Sequence, residues 1–115
     1  PDPTDSKADA QTAALRNVLN RENVTLLTHT YVEKLITNTD GTKVTNVKAL
    51  INGEEQYFST DMVVVACGAV NSAALFLRSA NEQHPNGLAN SSDQVGRNLM
   101  LHHNGCLVAF TRKNN

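Results

Sequence analysis

Ser59-Thr60-Asp61-Met62-Val63-Val64-Val65-Ala66-Cys67-Gly68-Ala69-Val70-Asn71-Ser72-Ala73-Ala74-Leu75-Phe76-Leu77 reads as a strand, a glycine turn and a helix, in that order. Met62 to Ala66 is an unbroken apolar run rich in valine, which predicts a strand covered on both faces. Gly68 permits a sharp turn and a close approach of backbone to another group. Asn71 or Ser72 then stands where it can cap a helix from Ala73 to Ala80. The free N–H groups of such a helix start lie at the carboxyl end of the strand, where open α/β sheets bind nucleotides. Taken alone, the unit is better read as a strand-turn-helix that binds nothing, its residues serving turn and core.

Working upstream, Val24 to Thr28 is a short apolar strand, expected to pair in parallel with Met62 to Ala66. Between them lies the pattern of a three-stranded antiparallel meander. Tyr31 to Thr37 and Lys43 to Ile51 flank Asp40-Gly41, and Asn52-Gly53 leads into a third strand over Gln56 to Ser59. Polar residues alternate with Val32, Leu35, Val47 and Ala49, as in strands with one wet face. At the start, Ala10, Ala14, Leu15, Val18 and Leu19 recur at helical spacing, so a helix packed on a sheet is expected over Ser6 to Leu19. Thr4, Asp5 or Ser6 would cap it, with Ser6 and Asp9 placed as a capping box.

Downstream, Asn81 to Asp93 is rich in Asn, Ser, Pro and Gly and reads as a loop. Gly105 to Thr111 is expected to form one more strand before a frayed end at 113–115. The whole, residues 1–115, is read as a single α/β domain with an antiparallel insert.

Composition excludes several classes of function. A net charge of -1 and the absence of a basic run argue against nucleic acid or an anionic membrane as partner. No apolar stretch approaches the length of a membrane span. Two cysteines are few for a disulfide scaffold. Cys67, at the end of an apolar strand, reads as a small buried filler, and reducing, cytoplasmic conditions are the simpler expectation. The opening Pro1-Asp2-Pro3 lacks a Met and suggests a chain that begins within a longer protein.

Ala66-Cys67-Gly68-Ala69-Val70-Asn71-Ser72-Ala73-Ala74-Leu75-Phe76-Leu77-Arg78-Ser79-Ala80 resembles the second signature of the glucose–methanol–choline (GMC) flavoprotein oxidoreductases. Val95-Gly96-Arg97-Asn98-Leu99-Met100-Leu101-His102 is similar to a later block of the same family. A weaker match covers Val24 to Thr28 and Tyr31 to Leu35, and the three fall in the family's order. Two positions depart from the pattern. Ala73 stands where Pro is usual, and Leu101 stands where an Asp usually precedes the residue matching His102.

The resemblance implies a partial FAD-binding, Rossmann-like layer carrying the antiparallel β-meander as an insert. It implies that Val32 meets the adenine edge through its backbone, and that Cys67, Gly68 and Ala69 pass beside the adenosine, with Asn71 in the same turn. His102 would line the flavin or substrate side. No G-x-G-x-x-G is present, so the pyrophosphate turn would come from elsewhere in the parent protein, as would the catalytic base. The parent would take a hydride from an alcohol onto flavin while a distant His removes the hydroxyl proton.

FAD is therefore expected in the parent, not in the isolated chain, which is expected to be inactive. The partners implied are the remainder of the parent flavoprotein and, for the isolated chain, a second copy in a homodimer. His102-His103-x-x-Cys106 fits no common zinc spacing, and no metal site is expected. The alternative reading, of a different class, is a small non-enzymatic α+β binding or structural module.

Overall fold

In the computed structural model, the described residues are 8–101 and 105–108. They form a small α/β unit with one three-stranded antiparallel sheet, ordered β1-β2-β3, and two helices. Strand β1 spans Thr30–Thr37, β2 spans Val44–Ile51 and β3 spans Glu54–Ser59. Asn52 and Gly53 both take left-handed backbone angles (φ 52° and 89°). This two-residue turn matches the right-handed twist of the strands it joins. The expected meander and both of its turns are therefore present.

The register between β1 and β2 slips at Glu33: Val32 faces Ala49, but Lys34 faces Lys48. In regular pairing, residues three apart point to opposite faces. The slip brings Val32 and Leu35 to the same face, where Leu35 lies opposite Val47 and then Phe58. That face carries the core. Leu35, Leu75 and Leu88 are its buried centre, with Val32, Val44, Val47, Val63, Val65 and Phe76 packed around them. On the other face Lys48 holds Glu33 at 2.9 Å and also pairs with Glu55.

Helix α1 runs as a π-helical stretch over Gln11–Leu15 that tightens to α over Arg16–Val18. Its expected caps Thr4, Asp5 and Ser6 lie outside the described residues. Asp9 instead pairs reciprocally with Thr12: the Thr12 N–H donates to the carboxylate at 2.8 Å, and the Asp9 N–H donates to the Thr12 hydroxyl at 3.0 Å. The helix buries no residue and touches neither the sheet nor the second helix. The expected packing of its apolar stripe on a sheet is corrected accordingly.

Two expected strands are also corrected. Residues 24–28 and 62–66 form no strand ladder. A strand requires a neighbour for its N–H and C=O groups, and these segments are not paired with one another or with the meander. Nor is the second run covered on both faces. Val63 and Val65 pack on the core, while Met62 and Val64 are 79% and 81% exposed. The segment thus alternates like a half-covered strand. Residues 105–108, expected to open another strand, are exposed and without regular structure. The remainder of that stretch and the end at 113–115 lie outside the described residues.

Helix α2 spans Gly68–Arg78 and packs on β1. It begins five residues before the expected start at Ala73, directly after the glycine turn, where Gly68 takes φ +80°. Asn71 and Ser72 are therefore not its N-cap. Ser72 lies inside the first turns and reaches back, its hydroxyl accepting the Cys67 N–H at 3.1 Å.

The segment after α2 is a loop, as expected, but it is not merely a solvated one. Leu88 is buried in the core, and its N–H donates to the Phe76 carbonyl at 2.9 Å. Asn90 is 3% exposed, donating to the Asn86 carbonyl and accepting the Val95 N–H. Asn81 donates to the Thr37 hydroxyl at 3.0 Å, and the His84 ring meets the Gly41 carbonyl at 2.8 Å. The loop thereby straps the first hairpin to the end of α2.

Candidate functional site

Strand β1 is the sheet edge that faces α2, and its outward backbone groups would be unpaired without a cover. The end of α2 supplies one. The Arg78 Nε donates to the Glu33 carbonyl at 2.6 Å, and Nη2 donates to the Val32 carbonyl at 2.8 Å. The Leu35 N–H donates to the fully buried Ser79 hydroxyl at 2.9 Å, which itself donates to the Leu75 carbonyl at 2.6 Å. The Arg78 guanidinium also lies over the Tyr31 ring, 5.0 Å from its centroid, within the range of a cation–π contact.

This arrangement leaves a cavity of about 280 Å³ between the start of β1 and the first turns of α2. Its lining is Thr30, Tyr31, Val32, Cys67, Asn71, Leu75 and Arg78. Three of the five residues singled out in the sequence, Val32, Cys67 and Asn71, therefore meet around one space. They come from segments more than thirty positions apart, joined by the packing of α2 on β1.

The other two are placed differently. Ala69 lies on another side of α2, lining an apolar groove of about 430 Å³ with Val70, Leu77, Leu99 and Met100. Gly68 lines neither space. A side chain built on it would meet no atom within 4 Å, so its requirement is conformational, set by φ +80°. His102 and His103 lie outside the described residues. Among the described residues, no three His, Cys, Asp or Glu side chains come together as a metal site.

Cys67 is exposed, not the buried filler expected of it. The expectation followed from a strand covered on both faces, and the segment leading to Cys67 has one face bare. The Asn71 carboxamide lines the same cavity with no hydrogen-bond partner among the described residues. The Val32 carbonyl already accepts from Arg78, which leaves that oxygen a second lone pair. Tyr31 and Arg78 escaped the sequence reading. A visible signal was a single guanidinium closing the apolar run Leu75 to Leu77.

A model of a known family, described as GMC oxidoreductase, matches residues 1–104. The chain belongs to the GMC oxidoreductase family. The matched region is the family's FAD-binding part. Over 101 residues, 86% of this chain, it is 34% identical to a 6'''-hydroxyparomomycin C oxidase of Streptomyces lividus. Over 78 residues, 67% of the chain, it is 37% identical to a 2-methyl-1,2-propanediol dehydrogenase of Mycolicibacterium austroafricanum. A shorter match, 49% over 39 residues and 34% of the chain, is to the fructose dehydrogenase large subunit of Gluconobacter japonicus. These matches span 18%, 14% and 7% of the respective relatives. The chain therefore corresponds to a small part of a GMC flavoprotein. Among the described residues, no helix is long and apolar enough to cross a membrane.

Proposed function

We propose that this chain is a single-domain piece of an FAD-dependent GMC enzyme and forms the adenosine side of its flavin site. The observation that carries the reading is the convergence of Val32, Cys67 and Asn71 on one cavity in a chain matched to this family. The donor set suits a purine nucleoside. Tyr31, in the cavity wall, gives an aromatic surface for a planar base. Asn71 offers a carboxamide that both donates and accepts.

FAD, when bound, supplies the acceptor for a hydride. The chain's own residues bind and orient. Val32 presents backbone groups to the base edge, Gly68 turns the chain beside the adenosine, and Cys67, Ala69 and Asn71 belong to the same turn. The pyrophosphate turn and the catalytic base belong to other parts of the parent, and the isolated piece is inactive. Relatives named as a fructose dehydrogenase, a propanediol dehydrogenase and a hydroxyparomomycin oxidase favour a hydroxyl-bearing substrate, a sugar or polyol.

The bare apolar surface is consistent with this reading. Met62, Val64, Leu99 and Met100 are all strongly exposed, and such surface marks an association site. The radius of gyration is 20.2 Å, against about 13 Å for a packed domain of this length. The remainder of the parent covers that surface, and in its absence the isolated chain self-associates.

Alkylation of Cys67 tests the site. In the full-length parent stripped of FAD, with Cys106→Ser, ADP should slow maleimide labelling of Cys67. An unaltered labelling rate at saturating ADP would place the adenosine elsewhere.

A further inference from the structure

The Val32–Glu33 slip and the end of α2 are joined through one side chain. At a bulge the extra residue disturbs the alternation of the ladder, and here two consecutive carbonyls, those of Val32 and Glu33, converge on Arg78 at 2.8 Å and 2.6 Å. A guanidinium is a planar fork with several fixed donors, and it suits two acceptors set side by side. A lysine ammonium, a point charge on a flexible stem, does not reproduce that match. Arg78 also lies over the Tyr31 ring, 5.0 Å from its centroid.

We infer that Arg78 is a positioning residue for the adenosine end of the site, holding the Val32–Glu33 bulge so that Val32 keeps its place on the cavity wall. Arg78 acts through β1: its two hydrogen bonds fix the Val32 and Glu33 carbonyls, and its contact fixes the Tyr31 ring, so that Tyr31 and Val32 are held in the cavity wall. The inference rests on the reading of this cavity as the adenosine side. No other described side chain bonds both carbonyls, so removal of the fork leaves the bulge free to regularise. Regular pairing would turn Val32 away from the face it shares with Leu35.

The test uses the full-length parent stripped of FAD, with ADP as probe of the adenosine half and FMN as probe of the flavin half. Arg78→Met should weaken ADP by about tenfold or more, the scale of lost charge-assisted hydrogen bonds, with FMN affinity and the Tm of the apoprotein held. Arg78→Lys should fall between Met and wild type. Asn71→Leu is the control for the cavity itself. Loss of ADP affinity in Asn71→Leu but not in Arg78→Met would overturn the positioning role and leave the site standing. Unchanged ADP affinity in both variants would overturn both. A parallel loss of ADP, FMN and Tm in Arg78→Met and Arg78→Lys would reduce Arg78 to a support of the fold.

Discussion

The Ser79 hydroxyl takes the Leu35 amide hydrogen at 2.9 Å, closing the exposed edge of β1 from a position with no solvent access of its own. Leu35 is 2% exposed, so no water replaces that bond if it is lost. The same hydroxyl donates to Leu75 within its own helix, and so fixes the distance between helix and strand.

Ser79→Ala should therefore cost about 1–3 kcal/mol locally, the penalty of a buried donor left without an acceptor. Hydrogen exchange at the Leu35 amide reads it directly. Protection should fall by about tenfold or more, while amides of the Asn52–Gly53 turn stay as they were. Unchanged protection at Leu35 would mean that the bond carries no weight.

Two glycines should respond unequally to alanine. A side chain at Gly87 would lie 2.8 Å from the Leu77 Cα and 2.9 Å from the Phe76 carbonyl oxygen, at φ +101°. Both obstacles are backbone, so the loop must move and Leu88 with it. At Gly68 there is φ +80° but no obstacle. Gly68→Ala should cost about 1 kcal/mol of strain, and Gly87→Ala more, about 2–3 kcal/mol. Denaturant titration of the sheet signal checks the order, and equal losses would contradict the contact geometry.

Stability should fall in acid through Glu55. Its carboxyl is held below the ordinary value of 4.5, chiefly by the hydrogen bond from Lys48 and against the opposing effect of burial. Lys48 is held above its ordinary 10.5, first by Glu55 and then by Glu33. A carboxyl depressed by folding stabilises above its unfolded pKa and loses that contribution as pH falls through its folded one. A raised lysine stabilises below its unfolded pKa and loses its share as pH rises through the folded one. The Tm advantage of wild type over Glu55→Gln should be level from 4.5 to 10.5 and shrink below that window. An advantage undiminished at about pH 3 would show that the pair is not responsible.

Self-association of the isolated chain should depend on the bare side of residues 62–66. Met62 and Val64 point away from the core that Val63 and Val65 join. Light scattering at micromolar concentration should find assemblies of the chain that dissolve on combining Met62→Lys with Val64→Lys. Monomers in both would show that this surface drives no association.

The meander was legible in the sequence because its signals are local. Alternation in Tyr31 to Thr37 and the Asn52-Gly53 pair specify strands and turn within a few residues of themselves. Val24 to Thr28 and Met62 to Ala66 carry an equal apolar signal, yet the pairing that makes a strand is not written in the strand. The start of α2 was misread because Asn71 and Ser72 look like caps, whereas the turn at Gly68 begins the helix alone and Ser72 reaches back to Cys67. Leu88 and Asn90 were hidden by their composition, since a segment of Asn, Ser and Gly gives no sign that it is tucked under a sheet. Of the cavity lining, Val32, Cys67 and Asn71 were singled out through family likeness. Arg78 was not, because its two acceptors are carbonyls, and carbonyls have no letter in a sequence.

The slip at Glu33 acts as a phase boundary within a single strand. Before it, Thr30, Tyr31 and Val32 line the cavity; after it, Leu35 enters the centre of the core. Deleting Glu33 would leave Val32, Lys34 and Leu35 consecutive opposite Ala49, Lys48 and Val47, a regular ladder in which each side chain keeps its present face. The deletion would remove one of the two carbonyls that Arg78 bonds and one carboxylate partner of Lys48. Deleting Lys34 instead would leave the extra residue in place and carry the strand beyond it one step out of phase, turning one half over.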